Sequence, residues 1–267
     1  MIVKMDVSAK KVWITGASSG IGEEYAYAFA RKGCYLVLSG RNSVELERVR
    51  NNCAGASGIE ILPLDLARQE TFAPMTAALL ERIGHIDILV NNAGVSQRSM
   101  ARDTRFDVDK FIIEVDLIGT VGLTKAVLPS MLARRSGQIV VTSSLMGKFG
   151  TPMRSAYAAA KHGLHGFFDS LRAELHQDGI RVLIVCPGFI RTNVSINAMT
   201  GDGSRQNTMD ETTGKGLHPS VVAARMIRAL QHDRQEIYVG GSEVWGVYLK
   251  RFFPGLFSRI VRKAKVT

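Results

Sequence analysis

The sequence predicts an α/β fold: a parallel sheet of about seven strands with helices packed on both faces. Three observations predict it. Short apolar runs rich in branched residues alternate with longer segments of helical period. The run at 180–186 (IRVLIVC) is almost continuously hydrophobic, as a strand buried on both faces must be. The first run leads into a glycine-rich turn and then a helical segment, which is how doubly wound folds open.

In chain order, the strands are expected at 11–15 (KVWIT), 35–39 (YLVLS), 59–64, 86–91, 138–143, 180–186 and 236–239. Helices are expected between them at 20–32, 43–52, 69–83, 106–131, 155–176 and 219–231. The chain has 267 residues, enough for one large domain and few for two. No repeat, low-complexity tract or shift in composition marks a boundary. Residues 189–218 break the rhythm, being polar, glycine-dotted and without a clear period. Loops of that length are lids or partly disordered segments. This one follows a strand end, where such sheets bind ligands, so a substrate lid is expected.

The formal net charge is +10. Much of the excess lies in the extension 244–267, where Lys250, Arg251, Arg259, Arg262, Lys263 and Lys265 meet no acid. A basic balance suits nucleic acid, anionic lipid or a phosphate-bearing small ligand. With no aromatic strand platform or recognition motif, no nucleic-acid partner is expected. Cys34, Cys53 and Cys186 have no CxxC spacing, so neither a disulfide framework nor a metal site is expected. Sparse thiols fit a reducing, cytoplasmic setting. The first ten residues hold no long apolar run, so no secretory signal or N-terminal span is expected there. No stretch elsewhere reaches the ~18 apolar residues of a spanning helix.

The first strand runs into Thr15-Gly16-Ala17-Ser18-Ser19-Gly20-Ile21-Gly22. Glycines let a backbone turn tightly against a pyrophosphate, and the helix N-terminus offers free amides to the anion. Ser18 and Ser19 add hydroxyl donors. This makes the fold a Rossmann-type doubly wound sheet and the chain, 1–267, a single NAD(P)-binding domain. The second strand ends Leu38-Ser39-Gly40-Arg41 with no acid at its tip. A carboxylate there would hold a ribose 2′-hydroxyl and repel a 2′-phosphate, whereas Arg41 can pair with the phosphate. NADP is therefore the expected cofactor.

Tyr157 and Lys161 are one helical turn apart and share a face. A free phenol titrates near 10, and a nearby ammonium favours the phenolate. The same lysine can bond a ribose hydroxyl. A serine at the end of the fifth strand, Ser143 or Ser144, can hold a substrate oxygen beside the phenol.

These residues resemble the short-chain dehydrogenase/reductase family in its compact form, over roughly residues 11–239. The resemblance rests on TGASSGIG (15–22), LDLA (64–67), NNAG (91–94), SS (143–144), YAAAK (157–161) and PGFIRT (187–192). It implies that Ser144 polarises the substrate, Tyr157 transfers the proton, and Lys161 supports the tyrosine and binds the cofactor. It further implies that Gly16, Ser18, Ser19, Gly20, Ile21, Gly22, Arg41, Asp65, Leu66, Asn91, Ala93, Gly94, Pro187, Gly188, Ile190 and Thr192 line the cofactor. A homodimer or homotetramer is usual for the family. The chain departs from the family at Asp116, where an asparagine that holds a relay water is usual. A carboxylate can accept from that water or pair with Lys161. Asp116 is left outside the catalytic set.

The expected function is NADP-dependent interconversion of a carbonyl and a secondary alcohol of a moderately apolar substrate. Met146, Phe149, Met199 and Met209 either line an apolar pocket or pack in core and loop. Arg154 either clamps a substrate carboxylate or is solvated. The basic amphipathic extension can lie on an anionic membrane, close the pocket or form a subunit interface. The alternative function is an NADP-holding sensor or scaffold with little turnover, for which Asp116 is the support.

Overall fold

The computed structural model describes residues 5–264. Lys265, one of the tail cations, lies outside the described residues. The strands are β1 (Lys11–Thr15), β2 (Tyr35–Ser39), β3 (Gly58–Ile61), β4 (Ile88–Asn91), β5 (Gly137–Thr142), β6 (Ile180–Pro187) and β7 (Glu236–Val239). All pair in parallel in one seven-stranded sheet of order β3-β2-β1-β4-β5-β6-β7. The order reverses between β1 and β4, and a crevice opens at such a point above the strand ends. The helices are α1 (Gly20–Ala30), α2 (Ser43–Asn52), α3 (Phe72–Ile83), α4 (Phe106–Ile113), α5 (Thr120–Ala133), α6 (Ser155–Glu174), α7 (Glu211–Gly214), α8 (Pro219–Gln231), α9 (Trp245–Phe252) and α10 (Pro254–Val261).

Successive strand side chains point to opposite faces, so each strand feeds two cores. Val12, Ile14, Leu36 and Leu38 pack with Tyr25 and Phe29 of α1, Leu46 of α2 and Met226 of α8. Trp13 and Val37 point the other way, toward Leu79 of α3, Leu123 of α5 and Phe168 of α6. The indole N–H of Trp13 donates to Ser39 Oγ at 2.8 Å, which satisfies its polar tip in the interior.

Several elements differ in extent from expectation, β4 beginning at Ile88 and α3 at Phe72, and there are three further differences. β3 stops at Ile61, and Pro63, which has no amide hydrogen to give, follows closely. The helix expected over 106–131 is interrupted by a π-helical turn, Glu114–Gly119, between α4 and α5. Gly119 packs so tightly there that a Cβ would sit 2.4 Å from the Leu66 carbonyl oxygen. The segment 189–218 holds a short helix, α7, and fixed anchors. Met199 exchanges backbone hydrogen bonds with Ser96 and Arg98, both at 2.8 Å, and Ser195, Ala198 and Asp210 are buried.

Candidate active site

A cavity of about 1410 Å³ lies above the C-terminal ends of the central strands. Single-ligand pockets run to ~1,000 Å³, so this one has room for a dinucleotide and a second molecule. Its wall includes the β1–α1 turn, the tip of β2, the loop after β4, the end of β5, the start of α6 and the loop after β6.

The turn after β1 owes its shape to two glycines with positive φ, Gly16 at +66° and Gly20 at +61°. A Cβ on Gly16 would also sit 2.8 Å from Ala93 Cα. Thr15 Oγ1 accepts the amides of Asn92 at 3.0 Å and Ala93 at 3.1 Å, which ties the ends of β1 and β4 together. The first amides of α1 therefore face the cavity beside the Ser18 and Ser19 hydroxyls, an arrangement that fits a pyrophosphate. At the tip of β2, Arg41 lines the cavity. On the adjoining helices, Glu23 of α1 and Glu45 of α2 are both held by Arg48, each at 2.7 Å.

Every expected cofactor residue lines this cavity except Gly22 and Asn91. Gly22 serves packing instead, since a Cβ there would lie 2.1 Å from the Gly16 carbonyl oxygen. Asn91 is buried and donates to Thr124 Oγ1 at 2.9 Å, bracing β4 against α5, while Asn92 takes the place on the wall.

The expected catalytic residues come from two places, the end of β5 and α6. Ser144 follows β5, and its Oγ accepts the Met146 amide at 3.1 Å and donates to the Pro187 carbonyl at 3.4 Å. Tyr157 and Lys161 stand on α6. Gln97 Oε1 accepts the Ala156 amide at 2.9 Å, satisfying one of the orphan donors at the start of that helix. Lys161 Nζ lies 5.5 Å from the centroid of the Tyr157 ring. It donates to the Thr142 carbonyl at 3.4 Å and pairs with Asp116 Oδ2 at 3.2 Å. Asp116 Oδ1 accepts the Val95 amide at 2.7 Å. Of the two roles open to Asp116, the geometry takes the direct ion pair. Burial pushes the Asp116 carboxyl up, against the pull of Lys161 and the Val95 amide. Burial alone would lower Lys161, but the neighbouring Asp116 and Tyr157 outweigh it and its pKa lies above the ordinary lysine value.

Ser143 turns away into a second polar network. Its Oγ lies 3.1 Å from His165 Nε2, and His165 Nδ1 lies 3.3 Å from Glu236 Oε2. Lys148 Nζ holds the same oxygen at 2.6 Å. His165, Cys186 and Glu236 bring donor atoms within 4.8 Å of one another. Burial pushes the Cys186 thiol well up, and Glu236 is already paired, so these donors are engaged within the protein.

Of the apolar candidates, Met146 and Phe149 line the cavity. Met199 instead packs beside Val108, Ile112 and Ala156, and Met209 meets Ser195 Oγ. Arg154 is not solvated: it is buried, 3.7 Å from Asp210. Arg98 went unnoticed in the sequence. Its guanidinium is buried and pairs with Asp210, 112 residues away, pinning the segment after β6 to the loop after β4. Glu243 was missed as well. It lines the cavity and accepts the Phe189 amide at 3.0 Å. No local pattern signals contacts of such separation.

Comparison with known proteins agrees with this architecture. The short chain dehydrogenase family model matches residues 10–202. The chain is 43% identical over 258 residues to the bovine (Bos taurus) protein named dehydrogenase/reductase SDR family member 7B, covering 94% of this chain and 79% of that one. Its fold is similar to a short-chain dehydrogenase/reductase from Burkholderia phymatum solved in complex with NAD (TM-score 0.83, 23% identity, covering 94% of this chain and 96% of that one). It is also similar to an alcohol dehydrogenase from Thermococcus sibiricus complexed with 5-hydroxy-NADP (TM-score 0.73, 26% identity, 87% and 97% covered). With the matching fold, the glycine turn and the ordered motifs, the chain belongs to the short-chain dehydrogenase/reductase family.

Proposed function

We propose that this protein is an NADP-dependent oxidoreductase that interconverts a carbonyl and its alcohol, with Tyr157 as the proton-transferring group. One observation carries the reading: Ser144, Tyr157 and Lys161 line the same cavity as the glycine turn and Arg41. The glycine turn and α1 hold the pyrophosphate, and Arg41 meets the 2′-phosphate. Lys161 bonds the ribose and sets its ammonium 5.5 Å from the centroid of the Tyr157 ring. When bound, the nicotinamide supplies or takes up the hydride. Ser144 and the Tyr157 hydroxyl hold the substrate oxygen, and Tyr157 gives it a proton in reduction or removes one in oxidation.

The substrate is a moderately apolar ketone or aldehyde, facing Met146, Phe149 and Phe189 on the wall. Residues 189–218 cover it as a lid, anchored through Asp210. The protein works as a homodimer or homotetramer in the cytoplasm, with the extension 244–267 making peripheral membrane contact. Tyr157→Phe tests the reading. It keeps the ring and removes the proton donor, so NADPH consumption on a carbonyl panel should fall by ~10³-fold or more with NADPH binding retained. Undiminished turnover would reject the role of Tyr157.

A further inference from the structure

The C-terminal hairpin forms the outer wall of the cavity. α9 and α10 meet at Phe253-Pro254, where the proline ends the first helix. Phe257 anchors the pair, buried and packed edge-on against Phe149 with ring centroids 5.2 Å apart. Val247, Leu249 and Val261 pack partly against the same core, but several large apolar side chains of the hairpin stay in solvent. Trp245 is 72% exposed, Phe252 68%, Phe253 62%, Leu256 50% and Ile260 51%. Trp245, Phe252, Phe253 and Ile260 also line the cavity mouth. Lys250, Arg251, Arg259, Arg262 and Lys263 stand among them, all exposed, with no acid between Glu243 and Ala264.

Exposed apolar side chains gathered on one hairpin mark an interaction surface. Its chemistry selects the partner. Aromatic and aliphatic side chains interleaved with cations are the composition of helices that lie in a lipid interface. Each helix has eight residues, far short of the ~20 that span a bilayer. Two copies of the chain docked symmetrically through the hairpins would bring like charges together, whereas an anionic surface neutralises them.

We propose that the hairpin seats the mouth of the cavity on an anionic bilayer, so that the substrate is a bilayer-dissolved carbonyl lipid entering from the membrane. The substrate half rests on the oxidoreductase reading above; the docking half does not.

The test uses the full chain and vesicles of phosphatidylcholine with or without phosphatidylserine. Trp13 is fully buried and bonded to Ser39, so a blue shift of tryptophan emission on adding vesicles reports Trp245. The expected result is a blue shift with co-sedimentation, roughly tenfold or more tighter on the anionic vesicles and weakened by salt. Arg251→Glu/Arg259→Glu/Arg262→Glu should lose that binding while still reducing a short water-soluble methyl ketone as well as the parent does. A long-chain methyl ketone presented in vesicles should be reduced faster by the parent than by this variant. Absence of any emission shift on anionic vesicles overturns the proposal, and so does a concentration-dependent dimer that buries Trp245. Equal rates of parent and variant on the long-chain ketone overturn the entry route. Vesicle binding with no NADPH consumed on either ketone rejects the oxidoreductase reading and leaves the docking surface standing.

Discussion

Asp116 Oδ2 lies 3.2 Å from Lys161 Nζ, and both side chains are buried. The π-helical turn that carries Asp116 points it inward, where the Val95 amide fixes its other oxygen. π-turns inside longer helices are frequent at functional sites, because the extra residue re-aims a side chain. Here the re-aimed side chain is a charge, and it offsets the ammonium beside Tyr157.

Asp116→Asn should therefore leave that ammonium uncompensated and lower the Lys161 pKa, which the Asp116 carboxylate helps to hold up. Besides Asp116, the charged or titratable groups acting on this pair are Tyr157 and, through it, Arg154. Activity that needs the Lys161 ammonium is lost as pH rises through its pKa, so the descending alkaline limb should move to lower pH in the variant. A kcat/KM profile of parent and variant measures this. An unmoved limb would show that Asp116 acts on packing alone.

The sequence made the sheet legible because period and composition are local signals. The runs at 11–15, 35–39 and 236–239 are strands over those same residues. The cavity wall was legible where a motif has a backbone reason, as at Gly16 and Gly20. It was not legible where the reason is distant. Asn91 and Asn92 look alike in the sequence, and only the position of Thr124 decides which one faces inward. The π-turn leaves no mark in the hydrophobic period, and the close approach of its Gly119 to Leu66 joins segments far apart in the chain. The polar segment 189–218 has no period, yet an ion pair to Arg98 holds it.

Arg41 tests the cofactor. Two charge-assisted hydrogen bonds to a 2′-phosphate contribute ~1.5–3 kcal/mol each. Arg41→Ala should raise the KM for NADPH by at least ~10-fold and leave that for NADH nearly unchanged. Steady-state titration of both nucleotides reads this, and a variant that still prefers NADPH as strongly as the parent would move the 2′-phosphate site elsewhere.

Arg98 and Asp210 have side chains 1% exposed each. Removing one partner of a buried ion pair leaves the other charge stranded, at a cost of ~3–5 kcal/mol. Asp210→Ala should melt several degrees lower and be cut faster by protease within 189–218, with a raised KM for the carbonyl. The double variant Arg98→Met/Asp210→Leu should be less destabilised than Asp210→Ala, because the Arg98 guanidinium goes with its carboxylate and only the longer 3.7 Å contact to Arg154 is lost. Thermal melts of the three proteins decide it.

Glu236 provides a pH test of the fold. Burial alone would raise its carboxyl, but hydrogen bonds from His165, Lys148 and Tyr238 outweigh burial and bring it from 4.5 down to about 2. A depressed carboxylate stabilises the fold above its unfolded pKa and loses that contribution as pH falls through the folded one. The loss should therefore fall between about pH 4.5 and about pH 2. Its side chain is only 23% exposed, so solvent screens it weakly, and the linkage corresponds to at most ~3 kcal/mol. Glu236→Gln removes the titrating group. Its urea midpoint should lie below the parent's at pH 7 and approach the parent's at low pH, as the parent loses what the variant never had. Parallel midpoints across the range would mean that Glu236 is no better held in the folded chain than in the unfolded one.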